Sequence, residues 1–174
     1  MPHRMLSFSA ALVAVVLAGC ADHQVLAPSR IRAGSPASRD VGLSSGCQIV
    51  SGVATFTKFE FTSPTTAQSA GVMTGDLTGT FAVQYYDLVQ NGDGSGSLKS
   101  HHVLTTSAGT ILTSDDIILL PVDDPNVFRP VAHLFITGGT GAFQGATGNL
   151  MVQGEYNHAT LAGSLQWQGP LCLP

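Results

Sequence analysis

The stretch ITGGTGAFQGATG, residues 136–148, decides the fold of this chain, because it reads either as a phosphate-binding loop or as the turn of a sharply bent sheet. Five of its thirteen residues are glycine, and it contains no lysine. A dinucleotide fingerprint needs G-x-G-x-x-G, but Gln144 stands where the third glycine belongs, and the Gly-Lys-Ser/Thr ending of a Walker A loop is missing. Glycine permits positive φ and close backbone approach. We therefore interpret the stretch as a tight connection between two strands, with Phe143 folded inward at one end of a barrel.

The segments on both sides of this turn alternate between apolar and polar residues with a period of two, which is typical of half-buried strands. Residues 72–89 predict one long strand, or two strands joined at a bend with Gly75 and Gly79 as corners. Further strand candidates are 49–61, 97–106, 109–120, 131–138, 148–156 and 160–168. About eight short strands separated by turn signals predict an all-β fold, either an antiparallel barrel or a sandwich.

A family resemblance favours the barrel. The segment GGTGAFQGATGNLMVQG (138–154) is similar to the glycine-rich hairpin of allene oxide cyclases and dirigent proteins, and GDLTGTF (75–81) fits the same kind of strand. The resemblance implies a calycin-like, small antiparallel β-barrel of about eight strands with a central apolar cavity, assembled as a homotrimer. It also implies a cyclase that holds a reactive lipid-like epoxide in a shaped cavity. Glu60 falls near the place of a family acid, but Thr62 stands where the asparagine two residues later belongs.

The N-terminus predicts export. Residues 1–19 combine Arg4 with a mostly apolar run, 6–17, that is too short to span a bilayer, since spanning needs about 20 residues. The run ends in LAGC, which resembles the lipobox of bacterial lipoproteins. This resemblance implies that Cys20 is acylated and becomes the mature N-terminus, so that a lipid anchors the protein in the bacterial cell envelope. Asp22 resembles the pattern of outer-membrane cargo facing the periplasm or the cell surface. An ordinary secretory signal cut after Ala21 is the alternative.

Residues 20–46 predict a lipidated flexible linker, because they are rich in Ser, Ala, Pro and Gly and have no aromatic residue. The remaining residues, 47–174, suffice for one domain. Cys47 and Cys172 stand at its two ends, and an exported pair in an oxidising compartment predicts a disulfide. No CxxC or HxxxH spacing accompanies them, so we predict no metal site and no cofactor.

The charge balance argues against one class of partner. The domain carries Lys58, Lys99 and Arg129 against nine acidic residues. A domain of this negative charge is not expected to bind nucleic acid.

Two carboxylates are candidates for catalysis, namely Glu60 and Asp115. Asp115 and Asp116 are adjacent, so in a strand they point to opposite faces and one of them faces the interior. A solvated strand end is the alternative and the favoured interpretation, because Asp is depleted in strands. His101 and His102 divide between the faces in the same way, and without a paired acid they predict no metal site.

The interior predicts a mainly apolar cavity with few polar groups. Glycines at inward positions, such as Gly75, Gly79 and Gly154, would leave space among large side chains. The expected lining consists of Phe81, Val83, Tyr85, Leu134, Leu150 and Trp167.

Three functions are compatible with these observations. The favoured one is a lipid-anchored barrel that binds a small apolar ligand or a partner. The alternatives are a cyclase or isomerase that acts by cavity shape on a lipid-like substrate, and a structural envelope lipoprotein with a filled barrel.

Overall fold

The computed structural model describes residues 45–174, which form a closed antiparallel barrel of eight strands in up-and-down order. This confirms the small antiparallel β-barrel expected from the sequence. The predicted signal peptide at 1–19, Cys20 and the linker as far as residue 44 lie outside the described residues. The strands are β1 (Gly46–Ser63), β2 (Thr66–Gly75), β3 (Gly79–Gln90), β4 (Gly96–Thr106), β5 (Gly109–Leu120), β6 (Val127–Gly139), β7 (Thr147–Asn157) and β8 (Gly163–Leu173).

The barrel closes by pairing its first strand with its last. β1 pairs antiparallel with both β2 and β8, and Cys47 lies opposite Cys172 in the second pairing. The two cysteines form the predicted disulfide. Closure removes the free strand edges that an open sheet would expose, and the disulfide covalently ties the closing pair.

Alternation places one set of side chains inside the barrel and the other outside. In β5, Asp115, Ile117 and Leu119 are buried, whereas Asp116 and Ile118 are exposed. Within residues 45–174 the only helical element is a short 3₁₀ turn, Gly141–Phe143. No helix in that range is long and apolar enough to cross a bilayer.

The stretch 72–89 belongs to two strands, the end of β2 and nearly all of β3, which flank a turn at 76–78. The first part of β2 escaped prediction because its inward residues are small, as Ala67, Ser69 and Gly71 show. They give no hydrophobic alternation. A Cβ on Gly71 would lie 2.5 Å from Cζ of Phe81, so the small residue makes room for a large ring on the neighbouring strand.

The expectation that inward glycines leave a cavity is wrong for the glycines that were named. A Cβ on Gly75, Gly79 or Gly154 would meet a backbone oxygen of the neighbouring strand at 2.6 Å or less. These residues permit close strand approach instead. Gly52 resembles Gly71, because a Cβ there would lie 2.2 Å from the indole ring of Trp167. The indole ring of Trp167 therefore occupies the space that a side chain at Gly52 would need.

Candidate ligand cavity

An apolar cavity of about 80 Å³ lies inside the barrel. Five of the residues expected to line it do so, namely Phe81, Tyr85, Leu134, Leu150 and Trp167. Val83 is buried beside them but is not part of the cavity wall. The remaining wall is formed largely by Phe56, Met73, Leu77, Leu104, Ile117, Ala132, Val152 and Leu165.

One end of the barrel is closed by the stretch at 136–148. After β6, Gly141 takes φ +60° and allows the 3₁₀ turn, which directs Phe143 into the barrel end. The Phe143 side chain is 1 % exposed, as predicted for a plug, and its backbone N–H donates to the Thr140 carbonyl at 3.1 Å. The turn carries no phosphate-binding helix, because β7 follows it directly. The glycine-rich stretch is therefore a structural cap.

The other end is a mouth lined by aromatic rings. Phe61 lines the cavity and is 47 % exposed, so the cavity wall reaches solvent there. Phe59 packs edge-on against Phe61 with ring centroids 5.1 Å apart, and His158 stacks on Phe128 at 4.7 Å. The mouth is thus a ring cluster on β1, β6 and the loop after β7.

The lumen also contains a polar cluster built around Asp115. Its Oδ2 accepts hydrogen bonds from the Ser100 hydroxyl at 3.0 Å and the Thr113 hydroxyl at 2.9 Å, and lies 2.6 Å from Nδ1 of His102. Asp115 is 3 % exposed. The favoured interpretation of this residue as a solvated strand end is therefore wrong. Two hydroxyls and an imidazole satisfy one carboxylate oxygen, which explains how the strand tolerates an inward acid.

His102 connects this cluster with the cavity. It lines the cavity, while Nδ1 is engaged by Asp115. A histidine whose Nδ1 donates to a carboxylate keeps Nε2 as the ring atom for a ligand, the arrangement found in catalytic and metal-binding histidines. From the sequence we expected no acid to pair with the histidines. This expectation is wrong for His102, because Asp115 pairs with it.

Two tyrosines are part of the same interior. The hydroxyl of Tyr85 lies 3.0 Å from Oγ of Ser69. Burial raises the pKa of Tyr85 to about 12, and the nearby negative charge of Asp115 adds to the rise. Burial also raises the pKa of Tyr156, which stacks on Phe56 at 4.1 Å. Both phenols are therefore neutral hydrogen-bonding groups at physiological pH.

Two buried polar atoms of the cluster and the cavity wall lack a hydrogen-bond partner among residues 45–174. They are Oδ1 of Asp115 and Nε1 of Trp167. Trp167 lines the cavity with its ring, and its indole N–H is a buried donor without a partner among the described residues.

Glu60 does not belong to this site. Its side chain is about half exposed on the outer surface, where it lies 2.9 Å from the Lys58 ammonium and accepts from Gln68 at 2.8 Å. These hydrogen bonds, first that of Lys58, lower the pKa of the Glu60 carboxyl. A bulge between Phe56 and Lys58 shifts the β1 register, after which Phe59 faces the cavity and Glu60 faces outward.

The outer histidines form no metal centre. His101 lies on the outer face with its ring 5.2 Å from that of Tyr86. In the part of the chain that the structure describes, no three His, Cys, Asp or Glu side chains are grouped so as to hold a metal ion.

No protein-family model, curated protein or solved structure matches this chain.

Proposed function

We propose that the barrel binds one small, slender apolar molecule, or the end of an alkyl chain, in its lumen. The observation that carries the proposal is the cavity itself: about 80 Å³ of apolar-lined space inside a barrel that is capped by Phe143 at one end, reaching solvent beside Phe61 at the other. Small-ligand sites are typically concave and apolar with a few placed polar groups, and His102 supplies such a group here.

The size of the cavity limits the ligand. A protein cavity of roughly 150 Å³ holds benzene, so 80 Å³ favours a chain narrower than a ring. A longer chain would extend through the mouth beside Phe61.

A second candidate is the cyclase or isomerase suggested by the resemblance to allene oxide cyclases. The His102–Asp115 pair favours it, because an imidazole held by a carboxylate in a largely apolar cavity suits proton transfer to or from a bound molecule. A structural lipoprotein without a ligand is the outcome if the cavity stays empty.

The cellular localisation is part of the proposal, and it is inferred from the sequence. We infer that Cys20 is lipidated in a bacterial envelope, at the outer membrane, and by family analogy that the barrel assembles as a homotrimer. Replacing Cys20 by Ala should abolish incorporation of labelled fatty acid into the protein in a bacterial expression host, and should leave the signal uncleaved at LAGC. Unchanged fatty-acid incorporation and processing would contradict lipidation.

Binding is tested by titrating an environment-sensitive polyene dye, whose unbranched chain is narrower than a ring, and displacing it with alkanes and alkanols. Ala132→Leu should weaken binding at least tenfold, because Ala132 is a buried residue of the cavity wall and added methyl groups occupy the space. Val131→Leu is the matched control, because Val131 is the neighbour of Ala132 in β6 and its side chain faces away from the lumen. If the wild-type protein binds neither dye nor chain, or if Ala132→Leu binds as well as Val131→Leu, the proposal fails.

A further inference from the structure

We infer that His102 is the head-group contact of this cavity and that its Nε2 accepts a hydrogen bond from the hydroxyl of an aliphatic alcohol, an inference that rests on the proposed ligand binding. The ligand class is therefore a chain with a hydroxyl group, in preference to a hydrocarbon, an ether or a carboxylate.

Asp115 sets the tautomer of His102. A carboxylate only accepts hydrogen bonds, and Oδ2 of Asp115 lies 2.6 Å from Nδ1 of His102. The same oxygen already receives the Ser100 and Thr113 hydroxyls, so the pair is held in one arrangement. With Nδ1 donating to this carboxylate, the neutral form of the ring presents Nε2 as an acceptor.

The position of His102 directs that acceptor to a ligand. The inward residues of β4 from the mouth are Leu98, Ser100, His102 and Leu104, so His102 lies well inside the lumen. No hydrogen bond to its Nε2 is formed by residues 45–174, whereas Nδ1 has Asp115. An acceptor in an apolar wall is satisfied by a donor on the bound molecule, which a hydroxyl supplies and an ether or alkane does not.

The charges of the lumen disfavour an anionic head group. Asp115 is buried there with Oδ1 unpaired, and its charge contributes to the raised pKa of Tyr85. The basic residues of the described barrel, Lys58, Lys99 and Arg129, are exposed on the outer surface. A carboxylate entering the cavity would meet the buried Asp115 carboxylate and no Lys or Arg side chain, so an alcohol is preferred over the corresponding acid.

The test compares ligands of equal size on the full chain. 1-Hexanol, methyl pentyl ether and n-heptane have the same number of non-hydrogen atoms, and only the first carries a donor. His102→Asn is the decisive variant, because the asparagine amide nitrogen can replace Nδ1 as donor to Asp115 while no atom replaces Nε2. His101→Asn, on the outer face of the same strand, is the matched control.

Wild type and His101→Asn should prefer 1-hexanol over n-heptane by a ratio roughly three- to tenfold larger than His102→Asn does, as expected for one hydrogen bond. The ether should show no such difference, and hexanoate at neutral pH should bind more weakly than 1-hexanol. An equal ratio in all three proteins would overturn the head-group inference and leave the proposed binding intact. Failure of every ligand to bind wild type would overturn both.

A measurement on the unaltered protein covers the case in which His102→Asn does not fold. The ¹⁵N resonances of the His102 ring should show the proton on Nδ1, and adding 1-hexanol should shift the Nε2 resonance whereas n-heptane should not. A ring protonated on Nε2, or a resonance that ignores the alcohol while the alcohol binds, contradicts the inference.

Discussion

At the scale of single residues, the polar cluster around Asp115 could have been predicted from the sequence. The turn at 107–108 pairs Thr106 with Gly109, and the same register pairs Ser100 with Asp115. His102 then lies opposite Thr113 on the same face. Extending the predicted hairpin by two residues at a time would have placed all four side chains together. The sequence interpretation missed this because it judged each residue by its own strand propensity and not by its partner across the hairpin.

The burial of Asp115 leads to a stability prediction. Asp115→Ala removes the acceptor of two hydroxyls and one imidazole N–H, and should lower the free energy of unfolding by about 2–4 kcal/mol. Asp116→Ala, its exposed neighbour, should change that free energy by less than about 0.5 kcal/mol. Urea denaturation of both variants measures the difference, and equal midpoints would show that the cluster contributes nothing to the fold.

At the scale of elements, the glycine-rich turn was predictable and the glycines within strands were not. Phe143 was expected at a barrel end because the turn offers positive φ and the phosphate motifs fail. Gly52 and Gly71, by contrast, are explained only by the Trp167 and Phe81 rings of neighbouring strands. Such a pairing depends on register, which bulges in β1 and β3 shift in ways that alternation alone does not reveal.

The plug can be tested against an aromatic residue of similar chemistry. Phe143→Ala should destabilise the barrel by roughly 3–5 kcal/mol, because it empties a fully buried position. Phe135→Ala, which truncates an outward ring that is about half exposed, should cost about 1 kcal/mol or less. Thermal or urea unfolding of the two variants measures the difference. A Phe143→Ala variant as stable as Phe135→Ala would show that Phe143 does not stabilise the barrel end.

At the scale of the whole molecule, counting strands and turns was enough to predict about eight antiparallel strands, whereas the barrel was expected over a sandwich because of the family resemblance. The cavity volume was not predictable, because it is the small difference between the space inside the barrel and side chains that nearly fill it. The lining set shows the same limit: Phe81 and Tyr85 reach the cavity, but Val83 between them does not. One strand face can thus contribute both to the packed core and to the cavity wall.

The disulfide should contribute to stability through the length of chain that it encloses. Cys47 and Cys172 are 125 residues apart in sequence, and replacing both by Ser should lower the free energy of unfolding by about 5 kcal/mol in the chain-entropy model. Dye binding at moderate temperature should persist, because the bond lies at the plugged end and the mouth is at the other. Loss of binding in a folded Cys47→Ser/Cys172→Ser variant would show that the disulfide between β1 and β8 is needed to maintain the cavity.

The same bond has a mechanical consequence. The chain enters the barrel at Gly46 and leaves it at Leu173, both at the plugged end, and the cysteine bridge lies one residue inside each point. A load applied between Gly46 and Leu173 therefore passes from backbone to sulfur to backbone, and within residues 45–174 only the pairing of Gly46 with Leu173 lies outside the bridge. The residues between Cys47 and Cys172 lie outside this covalent path and carry none of the force. Tension along the chain therefore does not deform the lumen. Only after reduction would the same pull peel β8 from β1.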